Sequence, residues 1–230
     1  MITDLASLLV IADGAFPSGA FAHSFGLETA IDEGRVADEA GLRVWLQSYL
    51  SDALATFDGA ALLLALGAGG VPCDDTTLAE LDRVLAAATF APEQRLAQRR
   101  IALALADAFA TIGLGATLAP YAAAIASDRA FGHPALAYAR AFAALGVSPH
   151  DAFVAYATTT TGALASVAAR AVPLGQRAVA RVRWSLRPAI ADAFASARGV
   201  ASSAAVRAQA YACEVDAMRH ARLGGRMFAS

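Results

Sequence analysis

Four histidines, His23, His133, His150 and His220, carry most of the chemistry this chain can run near neutral pH. None sits at the spacing of a zinc site, and no His-Glu-x-x-His pair occurs. His150 reads as part of a helix N-terminus, and His133 as a loop residue before a proline. His23 and His220 border two unusual segments, one early and one late, and would meet in a fold that joins them. One reading is therefore a metal-dependent all-α enzyme using His23 and nearby carboxylates. The serines lack a nucleophile elbow and the cysteines lack a protease context. Cys213 shares a helical face with Tyr211 and Val215 and reads as a small buried residue. No lysine occurs in the chain, so no Walker motif is possible. The sequence is rich in fold signals and poor in catalytic ones. The expectation is no catalytic residue, no metal ligand and no cofactor.

The elements that would position these groups are helical. Of 230 residues, 57% are hydrophobic and only 17% charged, with alanine making up much of the excess. Such a chain buries one sizeable core or offers apolar surface to partners, and self-association is expected. A net charge of −2 leaves no basic field for a nucleic-acid backbone. Cys73 and Cys213 form no CxxC pair and no leader is recognisable, so a reducing, cytoplasmic setting is the expectation. The nearest candidate membrane span, residues 101–120, contains Asp107 and leans on alanine and glycine, so it reads as a buried helix.

Taken in order, residues 5–12 form a short apolar stretch that Thr3-Asp4 can cap. Phe16-Pro17-Ser18-Gly19 has turn chemistry, with Pro17 at the second position and Gly19 at the fourth. Ser24 is placed to cap a helix that runs to Glu33 and is closed by Gly34. From Asp38, the residues Leu42, Trp45, Leu46, Tyr49, Leu50, Ala53, Leu54 and Phe57 recur at helical spacing. Residues 67–72 break the pattern. Thr77-Leu78-Ala79-Glu80 has the form of a capping box. Pro92 suits the first turn of a helix reaching Phe109, which Gly113-Leu114-Gly115 ends, and residues 121–126 read as a short helix. His133-Pro134 opens another that stops at Gly146, and Ser148-Pro149-His150-Asp151 opens the next. The β-branched run 158–161 weakens that helix locally. Residues 177–186 are ambiguous by pattern and are assigned helix, since no other segment offers a strand partner. Pro188 kinks or divides that element, and Ser202-Ser203 opens a last helix ending near Arg219. The whole is expected to be all-α, a single-domain irregular helical bundle spanning residues 1–230.

Two segments stand apart: the loop at 12–28 and the tail at 218–230. Phe16-Pro17-Ser18-Gly19-Ala20-Phe21-Ala22-His23-Ser24-Phe25-Gly26-Leu27-Glu28 resembles the N-terminal signature of UreF, the urease accessory protein family. The tail is similar as well, keeping His220, Arg226, Phe228 and Ser230, with Ala221 and Gly224-Gly225 departing from the common pattern. Val172-Pro173-Leu174-Gly175-Gln176, His133-Pro134 and Leu145-Gly146 match the family's middle, while residues 92–106 fit less well.

The resemblance implies a non-catalytic scaffold or chaperone, an all-α homodimer that assembles with UreD (UreH in some organisms) and the GTPase UreG. That complex would dock on apo-urease for nickel insertion, and the GTPase would bring the nucleotide and metal chemistry that this chain lacks. By the same correspondence, Phe21 and Arg226 are the residues expected to recruit the GTPase, supported by His23 and Glu28. Met227 and Phe228 offer apolar anchors beside the cation, residue types favoured at interfaces. No membrane and no nucleic acid are expected as partners.

Overall fold

The computed structural model describes residues 5–230, and among them no strand occurs. The helices are α1 (Leu5–Ala12), α2 (Leu27–Asp32), α3 (Glu39–Ser48), a π-helical stretch (Tyr49–Asp58), α4 (Gly59–Leu66), α5 (Asp75–Ala88) and α6 (Pro92–Thr111). They continue as α7 (Gly115–Ala126), α8 (Pro134–Ala144), α9 (Pro149–Ala171), α10 (Gln176–Ser185), α11 (Arg187–Ala197) and α12 (Tyr211–His220). The expected all-α bundle is what the chain forms. The proposed cap at Thr3-Asp4 lies outside the described residues.

Most boundaries follow from local chemistry. Ser148 accepts from the Asp151 N–H at the head of α9, and Pro92, Pro134 and Pro149 occupy first turns, where a missing N–H costs nothing. Val179 and Val182 of α10 are buried where it packs on α9 and α3, which settles the ambiguous segment as helix. Pro188 divides α10 from α11. Inside α9, Thr161 returns its hydroxyl to the Ala157 carbonyl at 2.7 Å, so the threonine run stays helical.

Five expectations are corrected. Ser24 does not cap α2: Gly26, at φ 91°, stands there, and the Ser24 hydroxyl is spent on the tail. Gly26 is required because a Cβ would come within 2.7 Å of the Cys213 carbonyl of α12. The cap of α5 is Asp74, which accepts from the Thr77 N–H at 2.8 Å, so Thr77 lies inside the helix. Helix α7 begins at Gly115 and carries Pro120 within it, rather than starting near Tyr121. Ser203–Ala205 forms only a 3₁₀ turn, and α12 starts at Tyr211. At the turn, Ser18 N–H donates to the Phe16 carbonyl at 2.7 Å, a tighter closure than a four-residue turn, before Gly19 at φ 73°.

Helix α9 is the axis of the bundle, touching α1, α2, α3, α4, α8, α10 and α11. Around it, Leu50, Leu54, Leu62, Phe109 and Phe142 are fully buried, as is its own Phe153. Tyr138 joins Phe109, Phe142 and Tyr156, with ring centroids 5.5 to 5.7 Å apart. Residues 39–66 and 149–171 are long and apolar enough to cross a bilayer, but 72% and 61% of their most apolar windows are buried inside the fold, as in core helices. Residues 101–120, the span considered from sequence, are divided between α6 and α7.

Candidate functional site

The loop at 12–28 and the tail at 218–230 meet and bind each other. Ser24 gives both its N–H and its hydroxyl to the Ser230 carbonyl, and Ala229 N–H donates to the Ala22 carbonyl at 2.8 Å. His23 Nδ1 lies 2.9 Å from the Ser230 hydroxyl. Glu28, buried in the first turn of α2, accepts from the Met227 N–H at 2.6 Å and the Phe228 N–H at 3.3 Å. The same carboxylate faces His220 Nε2 at 2.7 Å, while His220 Nδ1 faces Glu93 at 3.1 Å. The fully buried His220 ring thus lies between two carboxyl groups, one from α2 and one from α6. Glu93 also accepts from Arg226 at 2.8 Å, and its carboxyl is held below the usual range by His220 and then Arg226. Arg170 of α9 completes the clasp. Its guanidinium donates to the Phe21 carbonyl and lies over the Phe228 ring, 4.5 Å from the centroid.

The clasp sorts the six residues singled out in the sequence. Phe21 is 59% exposed and Met227 64% exposed, with the half-exposed Arg226 guanidinium nearby in sequence. His23, Glu28 and Phe228 are buried and serve as the base on which those three stand. Burial, then the Arg100 charge, lowers the His23 pKa. Sequence reasoning missed Glu93 and Arg170. Glu93 directly follows the helix-opening Pro92, and Arg170 is the cation of the last turn of α9; neither position by itself points to the tail.

Beneath the loop is a cavity of about 50 Å³ lined by Ser18 and His23 from the loop and by Tyr49, Asp58, His133 and Tyr156 from the core. Burial, reinforced by Glu214, raises the Asp58 pKa to about 7, and burial lowers that of His133 to about 3. Cys213 is pushed up to about 12, mainly by burial, which makes it a poor nucleophile. Among the described residues, no group of three or more His, Cys, Asp or Glu side chains is placed to hold a metal.

The two perturbed groups pull stability in opposite directions. Between the ordinary 3.8 and about 7, folded Asp58 keeps a proton that the unfolded chain has lost, so its contribution falls as pH rises. Between about 3 and the ordinary 6.5, unfolded His133 binds a proton that the folded chain refuses, so its contribution rises with pH. The slopes cancel where the windows overlap. Relative to the parent chain, Asp58→Asn should therefore gain stability as pH rises from 3.8 to about 7. His133→Gln should lose it from about 3 to 6.5, each slope approaching about 1.4 kcal/mol per pH unit. Urea denaturation across that range measures both, and parallel curves for parent and variants would refute the assignment.

Comparison with known proteins adds an independent line. A family model described as UreF matches residues 36–187. The chain is 34% identical over 226 residues to a urease accessory protein UreF of Arthrobacter sp. (strain FB24), covering 97% of this chain and 96% of the relative. It is 35% identical over 227 residues to one from Paenarthrobacter aurescens (strain TC1), covering 97% of each. It is 30% identical over 226 residues to one from Bacillus sp. (strain TB-90), covering 98% of this chain and 99% of the relative. The family model omits both halves of the clasp, whereas these three alignments extend over nearly the whole chain.

Proposed function

The chain belongs to the UreF family of urease accessory proteins, and from that membership we propose that it is a non-catalytic assembly factor for nickel insertion into apo-urease. It acts in the cytoplasm as a homodimer, joins UreD (or UreH) and the GTPase UreG, and the assembled complex docks on apo-urease. Nickel is the cargo of that complex. Nucleotide chemistry belongs to the GTPase.

The observation that supports this reading is the clasp. Loop and tail are locked together by buried hydrogen bonds, leaving Phe21, Arg226 and Met227 exposed at one junction. An aromatic ring, a cation and a methionine on a preformed base make a low-entropy docking patch. The proposed contact with the GTPase runs through Phe21 and Arg226.

Arg226→Ala should change folding stability by less than about 1 kcal/mol, because its ion pair with Glu93 is solvent-screened on both sides. Assembly should weaken by roughly 2 kcal/mol, about thirtyfold in Kd, if the residue is an interface hot spot. Co-purification with the host's UreD and UreG, sized by light scattering, reads the outcome. A variant that assembles like the parent chain would refute the docking role, and a parent chain that stays monomeric and ignores both partners would refute the scaffold itself.

A further inference from the structure

The cavity beneath the loop contains an unspent hydrogen-bond donor. His133 stands at the head of α8 with its side chain 3% exposed, and its Nδ1 accepts from the Ala135 N–H at 3.2 Å. Accepting there leaves the proton of the neutral ring on Nε2. That N–H has no hydrogen-bond partner: the nearest carboxylate oxygen, Asp58 Oδ1, is 3.4 Å away. Asp58 is itself underused, with only a long 3.5 Å contact from the Tyr156 hydroxyl to its other oxygen. A buried donor and a buried acceptor thus border the same space without satisfying each other. The buried donor is costly to leave so.

Backbone geometry at the same place is unusual. Tyr49 and Asp58 are the two ends of the π-helical stretch, and both line the cavity. π-Helical stretches recur at functional sites, and this one sets the carboxylate where a regular α-helix would not.

We propose that this cavity is a binding site for one small neutral molecule that accepts a hydrogen bond from His133 Nε2–H and donates one to a carboxyl oxygen of Asp58. A water molecule has this chemistry, and so does a primary amide such as formamide or urea. The volume of about 50 Å³ admits a water or a solute of a few heavy atoms. A metal ion does not fit, because a ligating histidine coordinates through a lone pair and donates with its other nitrogen. Here the nitrogen facing the cavity carries the proton and the other one accepts. Ser18 and His23 supply the loop side of the site, and His23 is bonded to Ser230, so the occupant also supports the base of the clasp.

Three measurements on the full chain test this. Long-range ¹H–¹⁵N spectra should show His133 as the neutral Nε2–H tautomer at neutral pH; an Nδ1–H ring or an imidazolium overturns the proposal. A high-resolution crystal structure should show one ordered molecule within hydrogen-bond distance of Nε2 and Oδ1. Crystals soaked in formamide or urea then identify the source. Retained water assigns the site to solvent, and density for the amide in its place assigns it to a solute of that class; either supports the proposal. A dry cavity, or nickel or zinc on Nε2 after soaking with those ions, overturns it. Asp58→Leu should abolish the ordered molecule, and Tyr156→Phe, a milder change, should keep the tautomer and the occupant. Loss of the occupant in Tyr156→Phe with none lost in Asp58→Leu would refute the assigned acceptor. None of these readouts depends on urease assembly, so they stand or fall separately from the scaffold reading.

Discussion

Glu28→Ala should release the tail and abolish assembly while the bundle stays folded. One carboxylate holds three donors there: His220 Nε2 and the N–H groups of Met227 and Phe228. Alanine leaves the His220 ring with Glu93 as its one remaining carboxyl partner, 3.1 Å from Nδ1. Such a loss costs about 1–3 kcal/mol for each buried polar group left unmet if all of them stay where they are. The tail has a cheaper route, since peeling away lets water satisfy those donors. The folded core should therefore lose only about 1–3 kcal/mol, while the Met227 and Phe228 amides lose their protection against hydrogen exchange. Binding that needs the ordered patch should fall at least about a hundredfold, because the tail must be reordered at each encounter. Glu28→Gln keeps the shape but presents an amide nitrogen to at least one of the donors, so it should recover only part. Tail amides that stay protected in Glu28→Ala would mean that the clasp is held by other bonds.

The clasp also shows how far the sequence could be read. Loop and tail are each recognisable as unusual, and the two segments do meet, though not through a contact between His23 and His220. Their actual partners were not, because contacts between residues some 190 to 200 positions apart leave no local pattern. His23 meets Ser230 rather than His220, and His220 meets Glu28. Where local chemistry decides, the reading was sound, as at Ser148, Pro92 and Pro134. It failed where a distant segment competes for the same group: Ser24 is a good helix cap by type, yet its hydroxyl goes to Ser230.

The π-helical stretch was invisible for a different reason. Leu42, Trp45, Leu46, Tyr49, Leu50, Ala53, Leu54 and Phe57 keep a convincing α period, and nothing in their types shifts the hydrogen bonds to i−5. The distortion is readable only at its exit, in three dimensions. A Cβ on Gly59 would approach Phe153 Cε2 to 2.4 Å and the Leu54 carbonyl to 2.6 Å, so only glycine fits there. The residues of the cavity were similarly hidden. His133 read as a loop histidine and Asp58 carried no signal of its own, and only their mutual approach makes them a site.

Asp82→Ala should be the most destabilising single substitution outside the apolar core. Asp82 is 1% exposed in α5, and its two oxygens accept from the Tyr121 hydroxyl at 2.7 Å, the Phe131 N–H at 2.6 Å and the Gly132 N–H at 3.0 Å. Tyr121 in turn accepts from the His133 N–H at 2.8 Å, so one carboxylate organises the chain from α7 through the start of α8. Unlike the tail, this corner cannot peel into water without undoing the packing of α5, α7 and α8. The donors would stay buried and unmet, and the cost should be about 3–5 kcal/mol, a large share of a typical domain's stability. Urea denaturation should show a lower midpoint with an unchanged slope. Tyr121→Phe removes one donor and one acceptor and should cost less. The double variant should cost less than the sum of the two, because they share a bond. Strict additivity would place Asp82 outside the network, and a near-neutral Asp82→Ala would refute its role altogether. The chain of bonds also predicts a link to the cavity: with Tyr121 unheld, the His133 backbone loses its fixed position, and its Nε2–H should lose the single environment expected in the parent chain.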